Sequence, residues 1–340
     1  MSKIAVILFN LGGPSSLAKV EEFLFNLFFD REIINLPLPI RYVIAKIISK
    51  SRKNKAIEIY KKLGGSSPIY EETLAQKKKL AEKLGADYDV YIAMRHAAPR
   101  CEDVIKSLSK GSYEQVILLP LYPQYSTTTT RSSVNEFFDK FKLKIPVKVV
   151  CCYPFNKNLI KAHLKLIKEK YLEAKEFGQP RILFSAHGLP EKIINKGDPY
   201  QSQVEQTVEA IVKDINISNL DYKITYQSRV GPVKWIEPYT DVEIKLAAKE
   251  NKPLIVVPIS FVSEHSETLV ELDIEYKELA NENGLDHYFR VKTLGIDDLF
   301  IEALAEICRD FREVEGSGFI ASDQKKRVCE SKFNNCLCNL

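Results

Sequence analysis

An α/β protein of two doubly wound domains is the fold this sequence predicts, and three observations carry that expectation. Eight short runs rich in Val, Ile, Leu and Phe end in loops of Gly, Pro, Ser and Thr. Amphipathic segments separate the runs, and the second half repeats motifs of the first in the same order. Near-continuous apolar runs alternating with helical patterns are what a parallel sheet covered by helices requires.

In chain order the strands are expected at 4–9, 90–94, 115–120 and 147–151 in the first half, and at 181–185, 223–227, 254–258 and 288–292 in the second. Ile7-Leu-Phe-Asn-Leu-Gly-Gly-Pro14 is echoed by Ile182-Leu-Phe-Ser-Ala-His-Gly-Leu-Pro190, and Ile117-Leu-Leu-Pro-Leu-Tyr-Pro123 by Ile255-Val-Val-Pro-Ile-Ser-Phe261. The expectation is two flavodoxin- or Rossmann-like domains, each with a four-stranded parallel sheet, related by internal duplication. Ligand would bind in the cleft between them, outside the carboxyl ends of the strands. The segments are 1–155, 156–318 and a cysteine-containing tail, 319–340.

Composition narrows the class. The chain has 340 residues, 45% of them hydrophobic, which is enough for two buried cores. Its 49 basic and 45 acidic side chains leave a net charge of +4, too balanced for nucleic acid as the main partner. No G-x-G-x-x-G or P-loop pattern occurs, so no nucleotide cofactor is expected, and Gly12-Gly13 and Gly64-Gly65 read as tight loops. Seven cysteines without a secretion signal or an apolar run of membrane-spanning length suggest a reducing, cytoplasmic setting. Residues 22–55 hold an apolar, Pro-interrupted segment followed by the basic Lys50-Ser-Arg-Lys-Asn-Lys55. It reads either as two core helices or as an apolar lip that admits a flat hydrophobic molecule and touches a membrane surface peripherally.

The chemistry concentrates in residues 257–276, where a buried strand end is followed by a polar loop and a helical pattern with Leu269, Leu272 and Tyr276 on one face. Glu267, Glu271 and Glu275 recur every fourth residue, so a helix stacks them in one stripe, with Glu264 a turn earlier beside His265. Like charges so spaced cost about 0.2–0.5 kcal/mol each on an exposed helix, and more in a dry site. These residues alone leave two readings open. Acids near a helix N-terminus make an ordinary solvated face, and a file of acids beside an imidazole also makes a site that binds metal and takes up protons.

Other expected strand ends add polar loops to the same face: Met94-Arg95-His96, Tyr122-Pro-Gln-Tyr-Ser126, Phe184-Ser-Ala-His187-Gly-Leu-Pro190, and Tyr226-Gln-Ser-Arg229 with Trp235. Together with Glu267-Thr-Leu and Glu271-Leu-Asp-Ile-Glu-Tyr276, these motifs closely resemble those of ferrochelatases, in order from about residue 4 to 276. That family inserts ferrous iron into a porphyrin to make haem, protoporphyrin IX being the expected substrate here, with release of two protons. The resemblance implies that His187 and Glu267 hold the iron, that Glu264, His265 and Glu271 handle protons and metal nearby, and that Arg95, Tyr122, Ser126 and Trp235 surround the macrocycle. A porphyrin or haem carrier, or a chelatase for a different tetrapyrrole or metal such as cobalt, are the alternatives. A carrier has no use for stacked glutamates facing a histidine.

The chain departs from the family pattern at His96, where Tyr is common, at Arg131, where Gly is common, and at Glu264, where Asp is common. Its tail places Cys329, Cys336 and Cys338 within ten residues, and Cys151-Cys152 ends a strand. The tail resembles the C-terminal cysteine group on which some ferrochelatases carry a [2Fe-2S] cluster. Cys151, Cys329, Cys336 and Cys338 are then the candidate ligands, with reduced thiols or a zinc site as alternatives.

Overall fold

The computed structural model describes residues 3–339; Met1, Ser2 and Leu340, the ends of the first and last expected segments, lie outside the described residues. All eight expected strands form. β1 (Lys3–Asn10), β2 (Tyr88–Met94), β3 (Tyr113–Pro120) and β4 (Val147–Val150) belong to one parallel sheet. β5 (Arg181–His187), β6 (Asp221–Gln227), β7 (Leu254–Pro258) and β8 (Tyr288–Arg290) make the other. β1 is buried from Ile4 to Asn10 and β7 throughout, because strands inside a parallel sheet are covered on both faces.

Strand order expresses the internal repeat. It runs β2-β1-β3-β4 in one sheet and β6-β5-β7-β8 in the other. In each, the connections leave the strand pair β1/β3 or β5/β7 in opposite directions, and loops that part there open a crevice at the carboxyl ends of the strands.

The first sheet has five strands where four were expected. β9 (Phe319–Ala321) pairs in parallel with β4 through Lys148↔Phe319, Val149↔Ile320 and Val150↔Ala321.

The chain divides into two compact units. One runs to Tyr153 and takes in Ile301–Glu330 and the end of the chain from Asn335; the other is Pro154–Phe300 with Ser331–Asn334. Residues 301–318, expected at the end of the second segment, therefore return to the first unit. Besides the pairing of β9, the buried Lys148 holds them there. Its ammonium donates to the carbonyls of Phe311 (2.9 Å), Arg312 (3.1 Å) and Val314, at the C-terminal end of the helix Asp298–Arg312, where carbonyls lack intrahelical partners.

The segment 22–55 forms helices with one side in the core and apolar side chains exposed on the other. Val20, Phe23 and Leu24 of the helix Val20–Phe28 pack with Tyr60 of the helix Leu38–Lys62 in a core cluster. The outer side of the longer helix leaves Leu38, Ile40, Val43 and Ile47 more than half exposed. No helix among the described residues is long and apolar enough to cross a membrane.

Candidate active site

In the second unit, the switch point between β5 and β7 gathers the acids and one imidazole. His187 is the last residue of β5, and its backbone N–H donates to Ser260 Oγ beyond β7 (3.2 Å). Gly188 follows and donates its N–H to Gln227 O (2.9 Å). A Cβ at 188 would lie 2.8 Å from that oxygen and 3.3 Å from Trp235 Cε3. The glycine is needed for this close approach, and not for a positive φ.

The acidic segment Glu267–Glu275 is π-helical, and the helix Tyr276–Glu282 continues it. Thr268, Val270 and Leu272 face inward and Glu275 is exposed, so the stripe of three acids contributes two, Glu267 and Glu271, to the site. A π segment widens the turn, and such segments concentrate at functional sites. His187 Nδ1 lies 2.8 Å from Glu267 Oε2. The two groups expected to meet do so, and they remain accessible, with 37% of the His187 side chain and 26% of the Glu267 side chain exposed.

Glu271 lies behind that pair in a cage of donors. Ser228 N–H (2.9 Å) and Tyr276 O–H (3.1 Å) donate to Oε1, and Gln227 Nε2 (3.1 Å) and the Ser228 hydroxyl donate to Oε2. Ser228 also reaches Glu267 Oε2 at 3.4 Å. It sits at φ 65°, a left-handed conformation uncommon for a residue other than glycine, and this strained turn aims its N–H at Glu271. Gln227 and Ser228 went unassigned in the sequence, where their run marked only a loop.

The two carboxyls are held in opposite protonation tendencies. Packing around Glu267 favours its neutral form, but the His187 charge and hydrogen bond, then His265 and Ser228, outweigh it and bring the pKa down to about 2. Glu271 is pushed above the ordinary range by desolvation and then by the Glu267 charge, with Ser228 and Gln227 opposing. Desolvation alone would lower His187. The Glu267 charge and hydrogen bond, with Glu271 further off, raise it above its ordinary 6.5 instead.

Glu264 and His265 flank this centre. Glu264 Oε1 accepts from Arg290 Nη1 (2.7 Å) and Thr293 N–H (3.0 Å). Burial raises its carboxyl, the Arg290 charge and hydrogen bond more than reverse that, and the pKa ends below the usual range. His265 is buried with Nδ1 3.0 Å from Ser263 O and its ring 4.8 Å from that of Phe261. Trp235 is half-buried, and its indole N–H donates to Val230 O (3.2 Å).

The first unit carries the other expected residues in a different condition. Arg95 is bound to Asp30 Oδ2 (2.9 Å), Glu136 Oε1 (3.4 Å) and Ser132 Oγ (2.6 Å), so its guanidinium, expected beside the macrocycle, is already engaged. His96 is fully buried 3.8 Å from Asp30 Oδ2, and burial, then Arg95 and Arg100, hold its pKa well below the ordinary value. Tyr122 is half-buried, and Ser126 caps the π turn Thr127–Arg131 by accepting from Thr128 N–H (3.1 Å).

The tail cysteines meet the internal one. The sulfurs of Cys151, Cys336 and Cys338 lie within 4.8 Å of one another, and Cys329 hydrogen-bonds to Cys336. Cys336 is the acceptor for three neighbouring thiols, which drives its pKa down, and no cysteine is in a disulfide. Arg131, where the resemblance led one to expect glycine, has a visible purpose. It donates to Asn335 Oδ1 (3.0 Å) and Asn335 O, and Tyr125 O–H donates to the same carbonyl (2.8 Å), docking the tail one residue before Cys336. Sulfur is the donor that an iron–sulfur cluster or a zinc ion takes, and three of the four candidate sulfurs are grouped here, with Cys329 outside the group.

A family model described as ferrochelatase matches residues 3–311. A ferrochelatase of Rickettsia bellii (strain OSU 85-389) is 54% identical over 341 aligned positions, covering 99% of this chain and 95% of that one. A ferrochelatase of Pelagibacter ubique (strain HTCC1062) is 50% identical and covers 99% and 98%. Among solved structures, the sirohydrochlorin chelatase SirB from Bacillus subtilis subspecies spizizenii, in complex with cobalt, aligns with a TM-score of 0.51 at 11% identity, covering 88% of this chain and 92% of that one. At that identity the last likeness speaks for the fold alone.

Proposed function

The chain belongs to the ferrochelatase family, and from that premise we propose how its own residues carry the reaction. It is a lyase-class chelatase of haem biosynthesis, inserting ferrous iron into protoporphyrin IX and releasing two protons. The assignment of roles rests above all on His187 Nδ1 and Glu267 Oε2 standing 2.8 Å apart at the switch point of the second unit.

Ferrous iron accepts imidazole nitrogen and carboxylate oxygen, and His187 with Glu267 offers one of each. The proton that His187 shares with Glu267 must leave before its nitrogen can bind metal, so iron competes with protons here. A site of two protein ligands holds iron loosely enough to give it up. Glu271 is the acceptor for pyrrole protons, because desolvation and the Glu267 charge raise its proton affinity. Glu264 and His265, just before the π segment, support the same relay. We assign Tyr122, Ser126 and Trp235 to the macrocycle, and Arg95 to holding its own loop through Asp30, Glu136 and Ser132.

Two further proposals concern the periphery. Cys151, Cys329, Cys336 and Cys338 would hold a [2Fe-2S] cluster, which when bound supplies a one-electron centre and pins the tail to β4. The exposed face with Leu38, Ile40, Val43 and Ile47, near Arg41, Lys46 and Lys50, suits peripheral contact with an anionic membrane surface by a cytoplasmic protein.

The test is anaerobic ferrous iron with free-base protoporphyrin IX, followed by the absorbance change on metallation. His187→Ala and Glu267→Gln should each lower kcat by on the order of 100-fold or more while porphyrin binding persists. Unchanged turnover in either variant contradicts the assigned roles.

A further inference from the structure

β8 and the loop after it make a row of bonds that the reaction as described leaves without a use. Arg290, the last residue of β8, is only 9% exposed at its side chain. Its Nε and Nη2 grip Asp273 Oδ1 and Oδ2, both at 2.6 Å, and its Nη1 reaches Glu264 Oε1 at 2.7 Å. Tyr288, two residues earlier, donates its hydroxyl to the backbone carbonyl of Leu272 at 2.7 Å in a buried contact. Thr293 N–H gives Glu264 Oε1 its second bond.

These partners have a pattern. Glu264 precedes the π-helical segment Glu267–Glu275, whereas Leu272 and Asp273 lie inside its last turn. One guanidinium therefore spans the segment from outside, joining its approach to its far end, while Tyr288 fixes a carbonyl between them. Glu267 and Glu271, the two acids that must face His187, lie between the clamped points. A π turn is less favourable than an α turn and persists only where its surroundings impose it. A planar guanidinium with five donors meets two carboxylates at fixed angles in a way that a lysine ammonium cannot.

We infer that Arg290 is a positioning residue for metal insertion: by bridging Glu264 and Asp273, with Tyr288 beside it, it keeps the segment in the register that points Glu267 and Glu271 at His187. Arg290 acts through the acids it holds and contributes nothing to binding the macrocycle. The inference rests on the iron-insertion reading above.

Its test compares Arg290→Met, Arg290→Lys, Tyr288→Phe and wild type in the anaerobic iron and protoporphyrin assay, with His187→Ala alongside. Misplacement of reacting groups by about an ångström costs on the order of 100-fold. Arg290→Met should lose kcat on that scale with the KM for porphyrin changed by less than about threefold, and Arg290→Lys should recover only part of the loss. Tyr288→Phe, which removes one neutral bond, should fall by less than about tenfold. In the Arg290→Met background, Asp273→Asn should add little, because both substitutions break the same link. If Arg290→Met fails to fold by circular dichroism, Arg290→Lys and Tyr288→Phe carry the test through their kcat and KM. Wild-type turnover with a dead His187→Ala and unaltered kcat in folded Arg290 variants overturns the inference and leaves the iron reading standing. Equal turnover in wild type and His187→Ala overturns that reading instead.

Discussion

The two units share a strand order, yet they treat charge at their switch points in opposite ways. In the first, Asp30 and Glu136 face Arg95, and Glu136 also meets Arg100 and Lys140. Arginine does not titrate near neutral pH, so those carboxylates keep a permanent counter-charge and hold the loop in one state. In the second, Glu267 faces an imidazole and Glu271 faces Glu267. The imidazole partner there can gain or lose a proton near neutral pH, as the arginines of the first unit cannot. A duplicated scaffold thus carries a locked set of charges in one copy and a labile set in the other, and the difference lies in whether an arginine or a histidine ends the partnership.

Removing one member from each set should separate the two behaviours. Arg95→Met leaves Asp30 and Glu136 short of a buried counter-charge and should cost about 3–5 kcal/mol in the free energy of unfolding, read by denaturant titration. Glu271→Gln should leave stability nearly unchanged and lower kcat roughly 100-fold. An unaltered stability in Arg95→Met, with only the porphyrin KM raised, would make that arginine a substrate contact and erase the contrast.

Protonation sharpens the comparison further. The raised pKa of His187 stabilises the fold at pH below 6.5, and that contribution disappears as pH rises through the raised value. The lowered pKa of Glu267 stabilises above 4.5 and is lost as pH falls toward about 2. The ion pair is thus complete from mildly acid pH up to the raised His187 value, and metal binding should strengthen with rising pH as the ring gives up its proton. NMR titration should put the His187 midpoint above 6.5 in wild type and lower it in Glu267→Gln, where desolvation acts without its main opponent. No movement on that substitution would remove Glu267 as the cause.

The smallest expected effect lies in the tail. Cys338→Ser should abolish any visible absorbance of the purified, porphyrin-free protein and change turnover by less than about threefold, since the thiols touch none of the acids assigned to the reaction. A colourless wild-type preparation made without air would remove the cluster.

Much of this was legible in the residues. The eight strands were readable because each is a dense apolar run closed by Gly, Pro or a polar loop, whereas the pairing of His187 with Glu267 came from the resemblance of their motifs to ferrochelatases. β9 was not, since Phe319–Ala321 is three residues in a polar segment and its pairing with β4 is a long-range event. Glutamates four apart look alike on an α and a π turn, so the π segment and the exposure of Glu275 could not be read from spacing. Ser228 adopts a backbone conformation that serine does not advertise, and Arg290 stands at a strand end with no sign that it reaches across to Glu264 and Asp273.

Iron is proposed to enter between His187 Nδ1 and Glu267 Oε2, which stand 2.8 Å apart. Crystals soaked anaerobically in ferrous iron, with anomalous scattering measured at the iron edge, test it most directly. The predicted result is one peak within bonding distance of both atoms, lost in His187→Ala. A peak elsewhere with this pair still hydrogen-bonded to each other would contradict it.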